Sequence, residues 1–305
     1  MRTLVRPSGG MVDAADSKSA AARRGGSTPP SGTTFLFVRI LRHWFSPDLA
    51  AFALANLSPS WPERRMRTIA LALFTVAFAA RPAVSEEVLL AVASNFVTAA
   101  EVLAESFEAE TGHSAVVSHG STGTLYAQIV SGAPFDVLLS ADAARPALLR
   151  DSGLATAVRT YALGRLVLVS GSPIDLENAE AAFEGQRVAL ADPLVAPYGA
   201  AAISVMENLG LDTATFQPIL VTNVGQVATL YVTGNAQLAF LAEAQVPFIG
   251  RAEVTRLEGL YPPIQQDAAF LARAGDNPAA VAFWAFLASD VAAQLIVANG
   301  YDLAQ

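Results

Sequence analysis

Four times between residues 86 and 305 a short apolar run gives way to a turn of small polar residues and then to a segment with helical spacing. That repeat leaves few folds open. Val88–Ala93 is continuously apolar, as expected of a strand in a parallel sheet covered on both faces. Ser94-Asn95-Phe96 then leads into a helix to about Gly112, with Phe96, Ala100, Leu103 and Phe107 on one face. Ser114–Ser118 reads as a second strand, and Ser118-His119-Gly120-Ser121-Thr122-Gly123 opens a helix on which Leu125 and Ile129 share a face. Further strands are predicted at Phe135–Ser140, Leu163–Ser170, Arg187–Ala191, Pro218–Thr222 and Gln237–Leu241. Helices are predicted from Ala141-Asp142 to about Arg150, from Ala200 to about Leu209, and from Asn223-Val224-Gly225 to about Val232. A turn at Pro262-Pro263 precedes a strand ending at Leu271. Asn277-Pro278 then starts one long helix to about Tyr301, with Val281, Trp284, Ala285 and Ala288 facing inward.

Alternating strands and helices predict an α/β fold with mainly parallel sheets and right-handed crossovers. The first sheet is left near Tyr161–Ser170 and rejoined near Asp267–Leu271, which predicts two lobes joined by two strands. The boundaries read as 86–162 and 267–305 for the first lobe and 163–266 for the second. Ligands of open α/β sheets bind at the carboxyl ends of the strands, and between two lobes that place is the cleft.

The front of the chain has a different character. Residues 8–33 are dominated by Ser, Gly, Ala, Pro and Arg without a periodic apolar face, and residues 1–65 read as an upstream or disordered extension. Residues 11–32 resemble a peptide read out of a transfer-RNA gene. At Met66 a signal peptide begins: Arg67 is its positive region, Thr68–Ala80 its apolar region, and Ala83-Val84-Ser85 its small-residue cleavage site before Glu86. Export past the cytoplasmic membrane, into the periplasm, is therefore expected.

Charge divides at the same place. Residues 1–85 carry a balance of +7, whereas residues 86–305 hold eight Arg, no Lys and 23 Asp/Glu, a balance of −15. An acidic body with scattered Arg does not suit nucleic acid, which needs a basic face. With no Cys in the chain there is neither a disulfide nor a thiolate metal site.

The turns Ser94-Asn95, Ser121-Thr122-Gly123, Pro197-Tyr198-Gly199 and Asn223-Val224-Gly225 share one chemistry. Each offers hydroxyl or amide side chains or free N–H groups at a helix N-terminus, and none contains Lys or Arg. Ser121 or Thr122 could simply cap its helix. Four such turns aimed at one cleft suit a small, fully ionised oxyanion held by uncharged donors. Hydrogen phosphate would also need an acceptor for its proton; sulfate, molybdate and tungstate would not.

Several longer motifs then stand out: Ala91-Val92-Ala93-Ser94-Asn95-Phe96, Gly132-Ala133-Pro134-Phe135-Asp136-Val137, Ala196-Pro197-Tyr198-Gly199-Ala200, Tyr261-Pro262-Pro263-Ile264 and Asp276-Asn277-Pro278-Ala279. With the turn at Ser121 they closely resemble the periplasmic molybdate-binding proteins of ABC importers, across essentially all of residues 86–305. The resemblance implies the two-lobe periplasmic-binding-protein fold (type II) with a two-strand hinge, a molybdate or tungstate ligand and no cofactor. It further implies delivery to an ABC permease by a monomer that is not an enzyme. It implies Ser94 and Asn95 as ligand-binding residues, Thr122 with Ser121 as its neighbour, Tyr198, and the backbone N–H of Val224. Some members place a ligand tyrosine where this chain has Ala242, which hands that hydroxyl role to Tyr198.

Other polar residues read as structural. His119, with only His113 nearby, lines or supports its turn rather than holding a metal. Asp142 and Asp192 read as helix caps or loop anchors, because a carboxylate in contact with a dianion would be repelled. Asp267 reads as a hinge residue and Trp284 as core. Two other functions fit the same frame: binding of another oxyanion such as sulfate, or an enzyme on a two-lobe scaffold. The enzyme is disfavoured by the absence of Cys, mature Lys, Ser-His-Asp spacing and paired carboxylates.

Overall fold

The computed structural model describes residues 86–304. The extension and signal peptide read in residues 1–65 and 66–85 lie outside those residues. Two five-stranded sheets organise the chain, in the orders β2-β1-β3-β10-β4 and β7-β6-β8-β5-β9.

In the first lobe β1 (Glu87–Ala93) lies parallel to both β2 (Ser114–Gly120) and β3 (Val137–Leu139). Val88, Leu90, Ala91 and Val92 are fully buried because helices cover both faces. One face packs on α1 (Val97–Thr111) through Ala99, Ala100, Leu103 and Phe107. The other packs on α2 (Thr122–Val130) and α3 (Ala144–Asp151) through Leu125, Ile129 and Leu149. The helical spacing seen in the sequence is thus the spacing that reaches the sheet.

β4 (Ala155–Gly164) and β5 (Leu166–Ser170) belong to different sheets, with Arg165 alone between them. The sequence predicts one strand over Leu163–Ser170; hydropathy cannot see the change of sheet because both flanks are buried. Arg165 is pinned there by ion pairs to Asp302 and to Glu243, the latter at 3.2 Å.

In the second lobe a short helix α4 (Ala179–Phe183) precedes β6 (Arg187–Ala191), which is parallel to β7 (Gln217–Val221) and β8 (Leu238–Ala242). α5 (Pro197–Asn208) follows β6, and α6 (Val224–Val232) follows β7. β9 (Glu253–Arg256), a short charged edge strand, has no apolar alternation to announce it. β10 (Ile264–Leu271) returns to the first sheet, antiparallel to β3 and β4. Both sheets are therefore mixed, each with a parallel part and an antiparallel part.

The predicted single C-terminal helix is two, α7 (Pro278–Phe286) and α8 (Asp290–Ala298), bent by 67°. Ser289 starts the second, its Oγ accepting from the Ala292 N–H at 3.1 Å. The inward face of α7 is Ala279, Ala280, Phe283 and Phe286, whereas Val281, Ala285 and Ala288 are exposed. A helix apolar nearly all round carries no readable phase. Trp284 is only partly buried, packing on Phe270 and under the Arg159 guanidinium.

Candidate functional site

Strand register brings the four turns together. Ala93, the last residue of β1, pairs with Gly120, the last of β2, so Ser94-Asn95 and Ser121-Thr122 leave the first sheet side by side. In the second sheet Ala191 of β6 pairs with Val221 of β7, which aligns the approaches to α5 and α6 in the same way. All six residues singled out in the sequence, Ser94, Asn95, Ser121, Thr122, Tyr198 and Val224, line one small cavity of about 10 Å³ between the lobes. No charged side chain lines it.

The two hydroxyls of the α2 turn do different work. Ser121 is the helix cap: its Oγ accepts from the Thr124 N–H at 3.2 Å and shares a hydrogen bond with the Thr124 hydroxyl at 2.7 Å. The Thr122 Oγ1 accepts from the buried Ala141 N–H at 3.0 Å, which leaves its own proton to donate. Thr122 and Val224 open α2 and α6, where the first N–H groups have no intrahelical acceptor. Pro197 opens α5 without an N–H, so Tyr198 carries the first one that α5 can offer.

Behind the cavity lies a buried network that the sequence did not reveal. Gln266, fully buried on β10, accepts at Oε1 from the Asn95 amide at 3.0 Å, and the Tyr161 hydroxyl, 3.1 Å from the same oxygen, shares its one proton between it and the Ser140 carbonyl at 3.0 Å. Its Nε2 donates to the Tyr198 hydroxyl at 3.3 Å. The Tyr301 hydroxyl donates to the Asn95 carbonyl at 2.5 Å and accepts from the Asn95 side chain at 3.3 Å. Both amide protons of Asn95 are thus engaged within the protein, whereas its backbone N–H donates to no acceptor among the described residues. Burial raises the pKa of the Tyr161, Tyr198 and Tyr301 phenols, and their mutual proximity raises Tyr161 and Tyr198 further.

The lobes also touch directly. The Gly123 N–H donates to the Val195 carbonyl at 2.8 Å, and the Arg145 guanidinium donates to the Leu194 carbonyl at 2.9 Å. Ala93 and Ala141 of the first lobe are buried in the same cluster as the second lobe's core.

A family model described as bacterial extracellular solute-binding protein matches residues 88–302. The molybdate-binding protein ModA of Rhodobacter capsulatus is 41% identical over 245 residues, covering 77% of this chain and 96% of that protein. ModA of Azotobacter vinelandii is 39% identical over 247 residues, with the same shares of the two chains. The chain belongs to the molybdate-binding protein family. Its members are solute-binding proteins and not enzymes. The solved structure of the Azotobacter vinelandii periplasmic molybdate-binding protein aligns with a TM-score of 0.66 at 35% identity, over 72% of this chain and 100% of that one. The sulfate-binding protein SubI of Mycobacterium tuberculosis shares the fold alone, with a TM-score of 0.58 at 16% identity over 72% of this chain and 88% of its own.

The remaining candidates fall outside the cavity of this family member. His119 is exposed near the end of edge strand β2, beside its turn, and does not line the cavity. Asp142 anchors α3 by accepting the Arg145 N–H at 2.9 Å, and it pairs with the Arg145 side chain. Asp192 shapes its loop by accepting the Leu194 N–H at 2.9 Å. Asp267 accepts from Thr160 at 2.8 Å and Gln265 at 3.0 Å in the hinge sheet. Ala242 is buried at the end of β8, away from the cavity lining. Among the described residues no group of His, Cys, Asp and Glu could hold a metal ion.

Proposed function

We propose that this chain captures molybdate in the interlobe cavity and delivers it to an ABC permease in the cytoplasmic membrane. The observation that carries the reading is the uncharged lining: helix N-termini and hydroxyls from both lobes meet where neither carboxylate nor cation intrudes. Ser94, Ser121, Thr122 and Tyr198 supply hydroxyl donors, and Asn95 and Val224 supply backbone N–H groups. Helix N-termini and oriented N–H groups stabilise a dianion without a counter-charge. A fully ionised tetrahedral oxyanion is all acceptor, which matches a lining that is nearly all donor. Tungstate has almost the same size and charge and belongs to the same ligand class. The signal peptide from Met66 delivers the protein, as a monomer, to the periplasm.

Calorimetric titration with molybdate, tungstate, sulfate and phosphate tests this. The expected result is tight binding of molybdate and tungstate, weaker sulfate and no phosphate. Phosphate binding as tight as molybdate would reject it, because hydrogen phosphate needs an acceptor for its proton. Residues 1–85 still attached to protein recovered from the periplasm would reject the cleaved signal peptide read at Met66.

A further inference from the structure

We propose that Gln266 is a positioning residue for the bound oxyanion: it fixes Tyr198 as a hydrogen-bond donor and ties that polarity to lobe closure. The inference rests on the reading of the cavity as an oxyanion site. Gln266 does not itself line the cavity and acts on it through Asn95 and Tyr198, which do. Its partners come from both lobes, Asn95 and Tyr161 from the first and Tyr198 from the second.

The direction of the bonds that run from Asn95 to Tyr198 follows from one fixed acceptor. The Asn95 carbonyl can only accept, so the Tyr301 hydroxyl donates to it. The Tyr301 oxygen is then left to accept, which turns the amide nitrogen of Asn95 toward it. The same nitrogen faces Gln266, so Gln266 must present its oxygen there. Its nitrogen is thereby turned to Tyr198, whose hydroxyl oxygen accepts and whose proton remains to be given away. The high phenol pKa values keep that proton in place. A backbone carbonyl beside the first anion-binding turn thus dictates that a hydroxyl from the opposite lobe donates.

Gly164 provides a second, independent observation. A Cβ at this last residue of β4 would lie 2.2 Å from the Tyr198 hydroxyl oxygen and 2.5 Å from the Gln266 Nε2. Only glycine lets these two side chains meet at the point where the chain crosses between sheets. When lobe 2 swings away, Tyr198 leaves Gln266 and its hydroxyl is free to turn either way. Closure therefore orients the donor, and an anion that presents a proton at this position finds another proton facing it.

The test is a double-mutant cycle on the full chain, titrated with sodium molybdate and with sodium phosphate. Tyr198→Phe and Gln266→Met are each expected to weaken molybdate binding by roughly 10- to 100-fold, the range for a hydrogen bond to a charged group. The double variant is expected to bind only slightly more weakly than either, because Gln266 acts through Tyr198. A packing role would instead make the two losses multiply. Gln266→Glu, of the same shape, covers the case in which Gln266→Met does not fold. Its carboxylate takes the Tyr198 proton for itself and should weaken molybdate more than Gln266→Met does. Multiplying losses in the cycle, or unchanged affinity in Gln266→Glu, would overturn the assignment while leaving the oxyanion site intact. A wild-type protein that binds neither anion would overturn the site reading itself.

Discussion

The backbone N–H of Gly123, in the first turn of α2, donates to the carbonyl of Val195 in the opposite lobe at 2.8 Å. Nothing larger than glycine fits there. A Cβ on residue 123 would lie 2.9 Å from the Val195 Cα and 3.0 Å from its carbonyl oxygen. Gly123→Ala should therefore hold the lobes slightly apart and lower molybdate affinity by roughly 10- to 100-fold, from a lost hydrogen bond and overpacking together. The free protein should melt nearly as before, since the clash exists only on closure. Small-angle scattering should show wild-type protein contracting with molybdate and Gly123→Ala contracting less. Equal contraction would refute the contact's role.

Thr122 combines two duties that substitution can separate. Its Oγ1 accepts the buried Ala141 N–H, and its proton is available to the cavity. Thr122→Ala should cost about 1–3 kcal/mol of stability by orphaning that N–H, and should weaken molybdate about 10- to 100-fold. Thr122→Ser should keep most of both. Thr122→Asp should nearly abolish binding by placing a like charge against a desolvated dianion. Thermal melts and calorimetry on the three variants read the two duties apart.

Much of this was legible in the sequence, for a physical reason. The turns after β1, β2, β6 and β7 announce themselves because a buried parallel strand is an uninterrupted apolar run and the helix after it begins with capping residues. Gln266 was illegible for the opposite reason. It adjoins Gln265 in a run with no distinguishing chemistry, yet Gln265 is exposed and Gln266 fully buried. Only the pairing of β10 with β4 decides which of the two faces inward. The break at Arg165 was hidden likewise, because Leu163 to Ser170 is apolar enough to pass as a single strand.

Molybdate affinity should be nearly independent of pH from 7 to about 10. Tyr161, Tyr198 and Tyr301 are all held above the ordinary tyrosine value of 10.0, chiefly by burial. Deprotonation would turn a donor into an acceptor and add a negative charge, so binding falls only well above that value. A decline in affinity between pH 8 and 9.5, measured by titration, would show that an unperturbed group governs the site.

Acid stability should depend on Glu243. Burial opposes its charge, but hydrogen bonds from Arg256 and Arg165, aided by their charges, hold its pKa below the ordinary 4.5. A depressed folded-state pKa stabilises the protein above the unfolded value, and this stabilisation is lost as pH falls through the folded value. Glu243→Gln should thus lower the Tm at pH 7, and the difference from wild type should close below about pH 4. A difference that persists unchanged at pH 3 would mean that the carboxylate's charge is not the source.

The most direct measurement is diffraction from crystals grown with molybdate, using the anomalous signal of molybdenum to locate the ion without reference to the protein map. The account predicts a single strong peak between the lobes, with oxygens within hydrogen-bonding distance of the Thr122 Oγ1 and the backbone N–H of Val224, and no arginine in contact. A peak held by a guanidinium, at Arg145 on the cleft rim or elsewhere, would contradict it and replace the neutral cradle with a charge clamp.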